Sequence, residues 1–162
     1  MNAIVYRAIG IIHTPFTHTT GMPIQPCGAI GIRGSVEVFP EYGDGLKDLA
    51  GFSHIILLYH FHQAPTFRLH VVPFLDSEER GLFATRAPVR PNPLGLSVVR
   101  LRAVRSNVLD VENVDILDGT PLLDIKPYVP DCDHWKVEST GWLASKRRRL
   151  RTTRSDARFE RS

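Results

Sequence analysis

Two proline-braced stretches gather most of the polar side chains that could do chemistry. The first is Phe83-Ala-Thr-Arg-Ala-Pro-Val-Arg-Pro-Asn-Pro-Leu-Gly-Leu-Ser97, and the second is Asp118-Gly-Thr-Pro-Leu-Leu-Asp-Ile-Lys-Pro-Tyr128. Pro88, Pro91 and Pro93 fix φ and remove three backbone donors, so the segment that holds them is neither helix interior nor central strand. Ala87, Arg90 and Asn92, each before a proline, are pushed toward extended geometry. The result is a stiff loop that holds Arg86 and Arg90 ready at little entropic cost. The second stretch repeats the design, with an Asp-Gly turn, a proline, a short apolar strand and then Lys126-Pro-Tyr128. Two rigid polar loops at strand ends predict a site that recognises an anionic or polar ligand.

Histidine supplies the other candidate chemistry. His54, His60 and His62 fall in or beside one strand-like run, with His70 nearby. Residues 60 and 62 share a strand face and could chelate a metal, yet no third ligand follows at a convincing spacing, so no metal is expected. His62, followed by Gln63 at a strand end, is the better polar-site candidate. No Gly-rich phosphate loop, GxGxxG after a strand, HExxH or GxSxG is present, which leaves a Rossmann nucleotide site unsupported.

The elements that must position these residues read as short strands. They run over Tyr6–His13, Ala29–Phe39, Ser53–Phe61, Phe67–Phe74, Gly81–Thr85, Ser97–Arg105, Val108–Ile116 and Pro121–Ile125, with a last one at Gly141–Leu143. Ser53–Phe61 is the most apolar and reads as the central strand. Ser106-Asn107 spaces two alternating runs as a two-residue hairpin. Gly31 and Gly34 suggest a bulge or a close backbone approach. Glu41–Gly51 has room for a short helical turn. The Thr14–Gly28 loop is long enough to be functional. Many short strands, frequent Gly and Pro and no long amphipathic helix point to an all-β barrel or sandwich.

Composition narrows the class further. The chain has 162 residues, a hydrophobic fraction of 43% and a net charge of +3, as expected of one globular domain. No apolar run approaches the roughly 20 residues of a membrane span. The N-terminus lacks the layout of a signal peptide, and Cys27 and Cys132 have no CxxC spacing, so a cytoplasmic protein with reduced thiols is expected. Eight Lys/Arg against two acids after residue 145 make a basic tail on a slightly acidic body. Residues 1–145 are expected to form the barrel. Residues 146–162 are expected to form a frayed or disordered tail, able to grip phosphate without sequence preference.

Gln25-Pro-Cys27, Phe61-His-Gln63, Ala84-Thr-Arg86, Arg90-Pro-Asn-Pro-x-Gly-x-Ser97 and Asp118-Gly-Thr-Pro-x-x-Asp-Ile-Lys-Pro-Tyr128 together resemble the TsaA-like (YaeB, TrmO) family of S-adenosylmethionine-dependent tRNA methyltransferases. Ile9-Gly-x-Ile12-x-x-Pro15 and Gly51-Phe-Ser-His54 follow the same pattern, so the resemblance covers about Tyr6 to Trp142. It implies a compact β-barrel with at most short helical turns, not a Rossmann fold. It also implies a homodimer with S-adenosylmethionine near the subunit interface, and N6-methylation of threonylcarbamoyl-adenosine beside the anticodon of a threonine tRNA. Carried onto this sequence, the cofactor contacts are Gln25, Pro26, Cys27, His62, Gln63, Arg86, Leu96, Asp118, Gly119, Thr120 and Pro121. Where longer bacterial members have an extra C-terminal domain, this sequence runs from Trp142 into the basic tail.

Arg86 suits the methionine carboxylate as a planar bidentate donor. His62, Asp118 and Asp124 are candidates to take the proton of the methylated nitrogen, and the sequence does not choose among them. Arg90, Lys126 and Tyr128 are candidates for substrate phosphate, carboxylate or base, with an Asp124–Lys126 pair on the barrel rim as the competing structural role. Two rival readings stay open: the same barrel methylating a small molecule or another RNA, and a non-catalytic ligand- or RNA-binding module.

Overall fold

A computed structural model describes residues 3–160. Six strands close into an antiparallel barrel: β1 (Gly10–His13), β2 (Arg33–Val38), β3 (His54–His60), β6 (Leu94–Arg105), β7 (Val108–Glu112) and β8 (Thr120–Pro127). Their order around the barrel is β1-β2-β7-β6-β3-β8, and β8 pairs back onto β1. Two further strands, β4 (His70–Val71) and β5 (Arg80–Gly81), form a separate two-stranded sheet. A single turn of α-helix, α1 (Pro130–Asp133), and several 3-10 turns complete the described chain. The all-β barrel expected from the sequence is the observed fold.

Period-two alternation decides what faces inward. In β3, Ile55, Leu57 and Tyr59 are buried while His54, Ile56, Leu58 and His60 are partly exposed, and in β6 Val99 and Leu101 alternate with exposed Arg100 and Arg102. Ile12, Val36, Val38, Leu109, Val111 and Leu122 fill the same core from the other strands. β3 is flanked by β6 and β8, yet its alternation is that of a barrel wall, apolar toward the core on one side only. Gly34 permits the β1–β2 approach, since a Cβ there would lie 2.7 Å from the His13 carbonyl oxygen. The Ser106-Asn107 hairpin forms as expected, with Arg105 opposite Val108 and Ser106 at a φ of 54°. Pro40–Leu46 and Leu49–Gly51 are the short helical turns expected there, and Leu46 plugs the core.

Three strand expectations differ from the structure. Phe67–Phe74 shrinks to His70–Val71, because the Arg68 N–H bonds the Val89 carbonyl and Pro73 has no donor. Gly81–Thr85 is mostly a 3-10 turn over Leu82–Ala84. Gly141–Leu143 is also a 3-10 turn rather than a strand, entered through Gly141 at a φ of 56°.

The tail differs most from expectation. Through Glu160 it folds back on the body instead of fraying. Phe159 is 8% exposed and packs edge-on to Phe74, in a second apolar cluster with Val71, Leu82, Ala87 and Val89. The Ser155 hydroxyl donates to the Thr19 carbonyl and accepts from the Met22 N–H, and Pro23 bridges to Arg154. Lys146 pairs with Asp76, whose side chain is 2% exposed and which Arg80 also contacts. The Arg158 guanidinium donates to the Pro73 carbonyl at 2.7 Å and lies over Phe74. Arg161, counted with the tail, lies outside the described residues.

Candidate functional site

Antiparallel pairing brings the end of β3 and the starts of β6 and β8 to one rim of the barrel. There a cavity of about 380 Å³ opens, walled by that rim, the 19–25 loop, the 85–90 loop, residues 115–117 and the folded-back 155–160 segment. A second cavity of about 650 Å³ shares the wall formed by Ile24, Gln25, Phe74, Thr85, Arg86, Leu96 and Phe159, and reaches Cys27, Phe83 and Trp142. Both lie in the range typical of small-molecule sites.

Arg86 and Gln25 stand in the shared wall. Arg86 Nη1 donates to Gln25 Oε1 at 2.6 Å, which ties the two loops together. Gln25 precedes a 3-10 turn that Pro26 starts at its first position, where a missing N–H costs nothing. Arg90 also lines the first cavity, but its Nη1 is spent on the carbonyls of Thr85 and Ala87, at 3.0 and 3.3 Å, and its guanidinium lies over Phe83. Arg90 therefore braces the loop that presents Arg86.

His62 and Gln63 follow β3 and line the first cavity. Burial, and then the neighbouring His60, push the His62 pKa below the usual imidazole value, so the ring is neutral at pH 7. Its Nδ1 lies 3.4 Å from the Thr120 hydroxyl, which itself donates to the Leu117 carbonyl at 2.6 Å.

Of the residues expected at the cofactor, Gln25, His62, Gln63, Arg86, Leu96 and Thr120 line the first cavity, whereas Pro26 and Cys27 line the second. Asp118, Gly119 and Pro121 line neither. Asp118 instead accepts the Thr14 N–H at 3.0 Å and sits 3.6 Å from His13, while Gly119 takes the expected positive φ, at 75°. Asp124 and Lys126 form a 2.8 Å ion pair and Tyr128 packs edge-on to His54, all toward the far end of β8. Lys126 lies six residues along β8 from Thr120, or about 20 Å. Of the proposed proton acceptors, the structure thus brings His62 alone to the cavity.

The same rim holds a polar chain that the sequence reading missed. The Tyr59 hydroxyl lies 3.0 Å from Ser97 Oγ, which donates to Asp115 Oδ1 at 2.6 Å. Ser97 is 1% exposed, and Asp115 and Tyr59 line the cavity. Burial pushes the Asp115 carboxyl up to about 6, against the opposing pull of the Ser97 hydrogen bond and the Arg86 charge. The Tyr59 hydroxyl is pushed well above its ordinary value, first by burial and then by Asp115. A signal was available, since Tyr59 and Ser97 put polar atoms at inward-facing positions of strands that are otherwise apolar inside.

A family model described as the tRNA-methyltransferase O N-terminal domain matches residues 11–134. A probable S-adenosyl-L-methionine-binding protein of Pyrococcus abyssi is 55% identical over 96% of this chain and 85% of its own length. The tRNA (adenine(37)-N6)-methyltransferase of Escherichia coli is 36% identical over 90% of this chain and 66% of its own. The crystal structure of TrmO from Pseudomonas aeruginosa superposes with a TM-score of 0.73 at 38% identity, covering 87% of this chain and 63% of that one. The chain thus spans less than two thirds of that solved TrmO.

Proposed function

Because the chain belongs to the tRNA-methyltransferase O N-terminal domain family, we propose that it is an S-adenosylmethionine-dependent tRNA methyltransferase that methylates N6 of threonylcarbamoyl-adenosine beside the anticodon of a threonine tRNA. The observation that carries this reading is the convergence of Gln25, His62, Gln63, Arg86, Leu96 and Thr120 on one cavity at the barrel rim.

The donor set fits the cofactor. S-adenosylmethionine carries a carboxylate, an ammonium, a sulfonium and an adenine edge. Arg86 offers a fixed cationic fork for the carboxylate, Gln25 and Gln63 offer amide donors and acceptors, and Leu96 with Phe61 gives apolar area. When bound, the cofactor supplies an activated methyl group. The chain's own residues align the acceptor nitrogen and exclude water, and alignment is the main demand of an in-line displacement. Neutral His62 is the proton acceptor, among the three first named, that lines the cavity.

The reading includes a cytoplasmic homodimer. Leu94, Leu96 and Phe83, which are 44%, 51% and 75% exposed, lie side by side with the cavity and support a subunit contact there. No helix of the described residues is long and apolar enough to cross a membrane. The folded-back tail still offers Arg147, Arg148, Arg149 and Arg151 on one exposed turn for RNA phosphates. A second reading keeps the donor site and changes the methyl acceptor to another RNA or a small molecule; its support is that the Pyrococcus relative is named for donor binding alone.

The test is incubation of the purified protein with labelled S-adenosylmethionine and tRNA from a strain lacking the endogenous activity, followed by mass spectrometry of the nucleosides. A methylated threonylcarbamoyl-adenosine is expected. Donor binding with no modified tRNA nucleoside would transfer the reading to the second acceptor class.

A further inference from the structure

Two opposite charges stand in the wall of one cavity, each without a counter-ion among the described residues. Among the described residues, neither Arg86 nor Asp115 enters an ion pair. Arg86 bonds a neutral amide, and Asp115 accepts from a neutral hydroxyl. The other acids of that wall are engaged, Asp156 with Arg158 and Glu160 with Thr19 and Thr20. The two charges sense one another electrostatically yet do not touch. A carboxylate kept partly desolvated without a counter-ion is costly, and the cost falls when a cation arrives.

From this geometry we infer that Asp115 is the receptor for the α-ammonium of the bound methyl donor, with Arg86 holding the carboxylate of the same amino-acid group. The inference rests on the donor reading given above. An amino-acid zwitterion carries its two charges on adjacent atoms, so one ligand group can satisfy both unpaired residues. Ser97 and Tyr59 are positioning residues: the Ser97 hydroxyl donates to Asp115 Oδ1, leaving Oδ2 for the ligand, and the Tyr59 hydroxyl bonds Ser97 in turn. Ser97 from β6 bonds Asp115, and the titratable and charged groups that line the cavity with it are Tyr59 from β3, Arg86 and Arg90 from the proline-braced loop, His62 from the turn after β3, and Asp156 and Glu160 from the tail. Because its carboxyl titrates near 6, Asp115 is charged at pH 7.5 and loses its hold on a cation in mild acid.

The experiment is calorimetric titration of the full chain with S-adenosylmethionine, S-adenosylhomocysteine and 5′-methylthioadenosine, from pH 5 to 8. The last ligand keeps the adenosine and sulfur and lacks the amino-acid group. Asp115→Asn should weaken the first two by about tenfold or more, as for a lost charge-assisted hydrogen bond, and leave 5′-methylthioadenosine unchanged. Wild-type affinity for S-adenosylhomocysteine should fall below pH 6, and that fall should vanish in Asp115→Asn. Ser97→Ala removes the bond that favours the ionised carboxyl, so its binding midpoint should move to higher pH, a shift that a merely structural role would not produce. Equal weakening of all three ligands, weakening of S-adenosylmethionine alone, or unchanged affinity would overturn the inference. A wild-type chain that binds none of the three would instead refute the donor reading itself.

Discussion

Gly95 lies against the Tyr59 ring across the β3–β6 pairing, so closely that a Cβ on residue 95 would come within 2.1 Å of the ring. Tyr59 can carry its hydroxyl to Ser97 because that space is empty. Gly95→Ala should force the ring aside, cost roughly 1–3 kcal/mol of stability and disturb the cavity in the same step. Chemical denaturation beside a donor titration checks both; a wild-type midpoint would mean that the ring yields without cost.

Asp115→Asn should alter stability in a pH-dependent way. Its carboxyl is raised in the folded chain from 3.8 to about 6. Between those values the unfolded chain has lost the proton and the folded chain keeps it, so stability falls as pH rises through this window. Above it the full penalty persists, roughly 2–3 kcal/mol. The amide variant keeps the shape without the charge, so it should melt higher than wild type at pH 7.5 and equally at pH 3.5. Thermal melts at the two values decide this, and identical melting at pH 7.5 would remove the burial penalty from the account.

Arg86→Ala should weaken S-adenosylmethionine binding by roughly 1.5–3 kcal/mol, the worth of hydrogen bonds to a charged group. Gln25→Ala should weaken it less, because it removes a neutral partner of Arg86 and leaves the guanidinium in place. The order of the two affinities is the result to measure, and a reversed order would make Gln25 the principal anchor.

Removal of residues 145–162 should lower both melting temperature and donor affinity. Phe159 belongs to a buried cluster, and Ser155, Asp156 and Glu160 line the cavity. Phe159→Ala alone should cost about 3 kcal/mol. A truncated chain that melts and binds like the full one would show the tail to be dispensable to the site, as its charge pattern alone suggests.

Gly119→Ala should cost about 1–2 kcal/mol through backbone strain alone, since its φ is positive while space for a Cβ is open. Gly119→Asn should recover part of that loss. If the turn belongs to the donor site, both variants should also lower donor affinity; affinity unchanged in a destabilised variant would mark the turn as scaffold.

Strand alternation, glycine placement and turn chemistry are local properties, which is why the barrel was legible in the sequence. Val99 and Leu101 against Arg100 and Arg102 already separate an inner face from an outer one. That Arg86, His62 and Gln63 come to one cavity follows from their rigid or strand-end positions. Asp115 was not, because its neighbours Val114 and Ile116 make it look like a flaw in an apolar run; its meaning comes from Ser97, 18 residues away in sequence. The tail was misread for a related reason. Its charge density argues for solvation, while the acceptors that hold it, Asp76 and the carbonyls of Val72 and Pro73, are contributed by the two-stranded sheet region. The bond that Asp118 accepts from the Thr14 N–H joins residues 104 apart, beyond the reach of any local pattern, while the Asp124–Lys126 pair is the rim contact that their spacing on one strand face allows.

Pairing of β8 with β1 leaves the barrel with no free strand edge. Two copies therefore cannot join by extending one barrel sheet across a two-fold axis, and association must rest on side chains meeting side chains. In the proposed dimer such a contact would be set residue by residue, and single substitutions at Leu94, Leu96 or Phe83 would tune or abolish it while every backbone ladder stays intact. The same closure denies the folded barrel a template for runaway strand addition. Should this protein aggregate, the seed is to be sought in chains whose barrel has opened rather than in the native assembly.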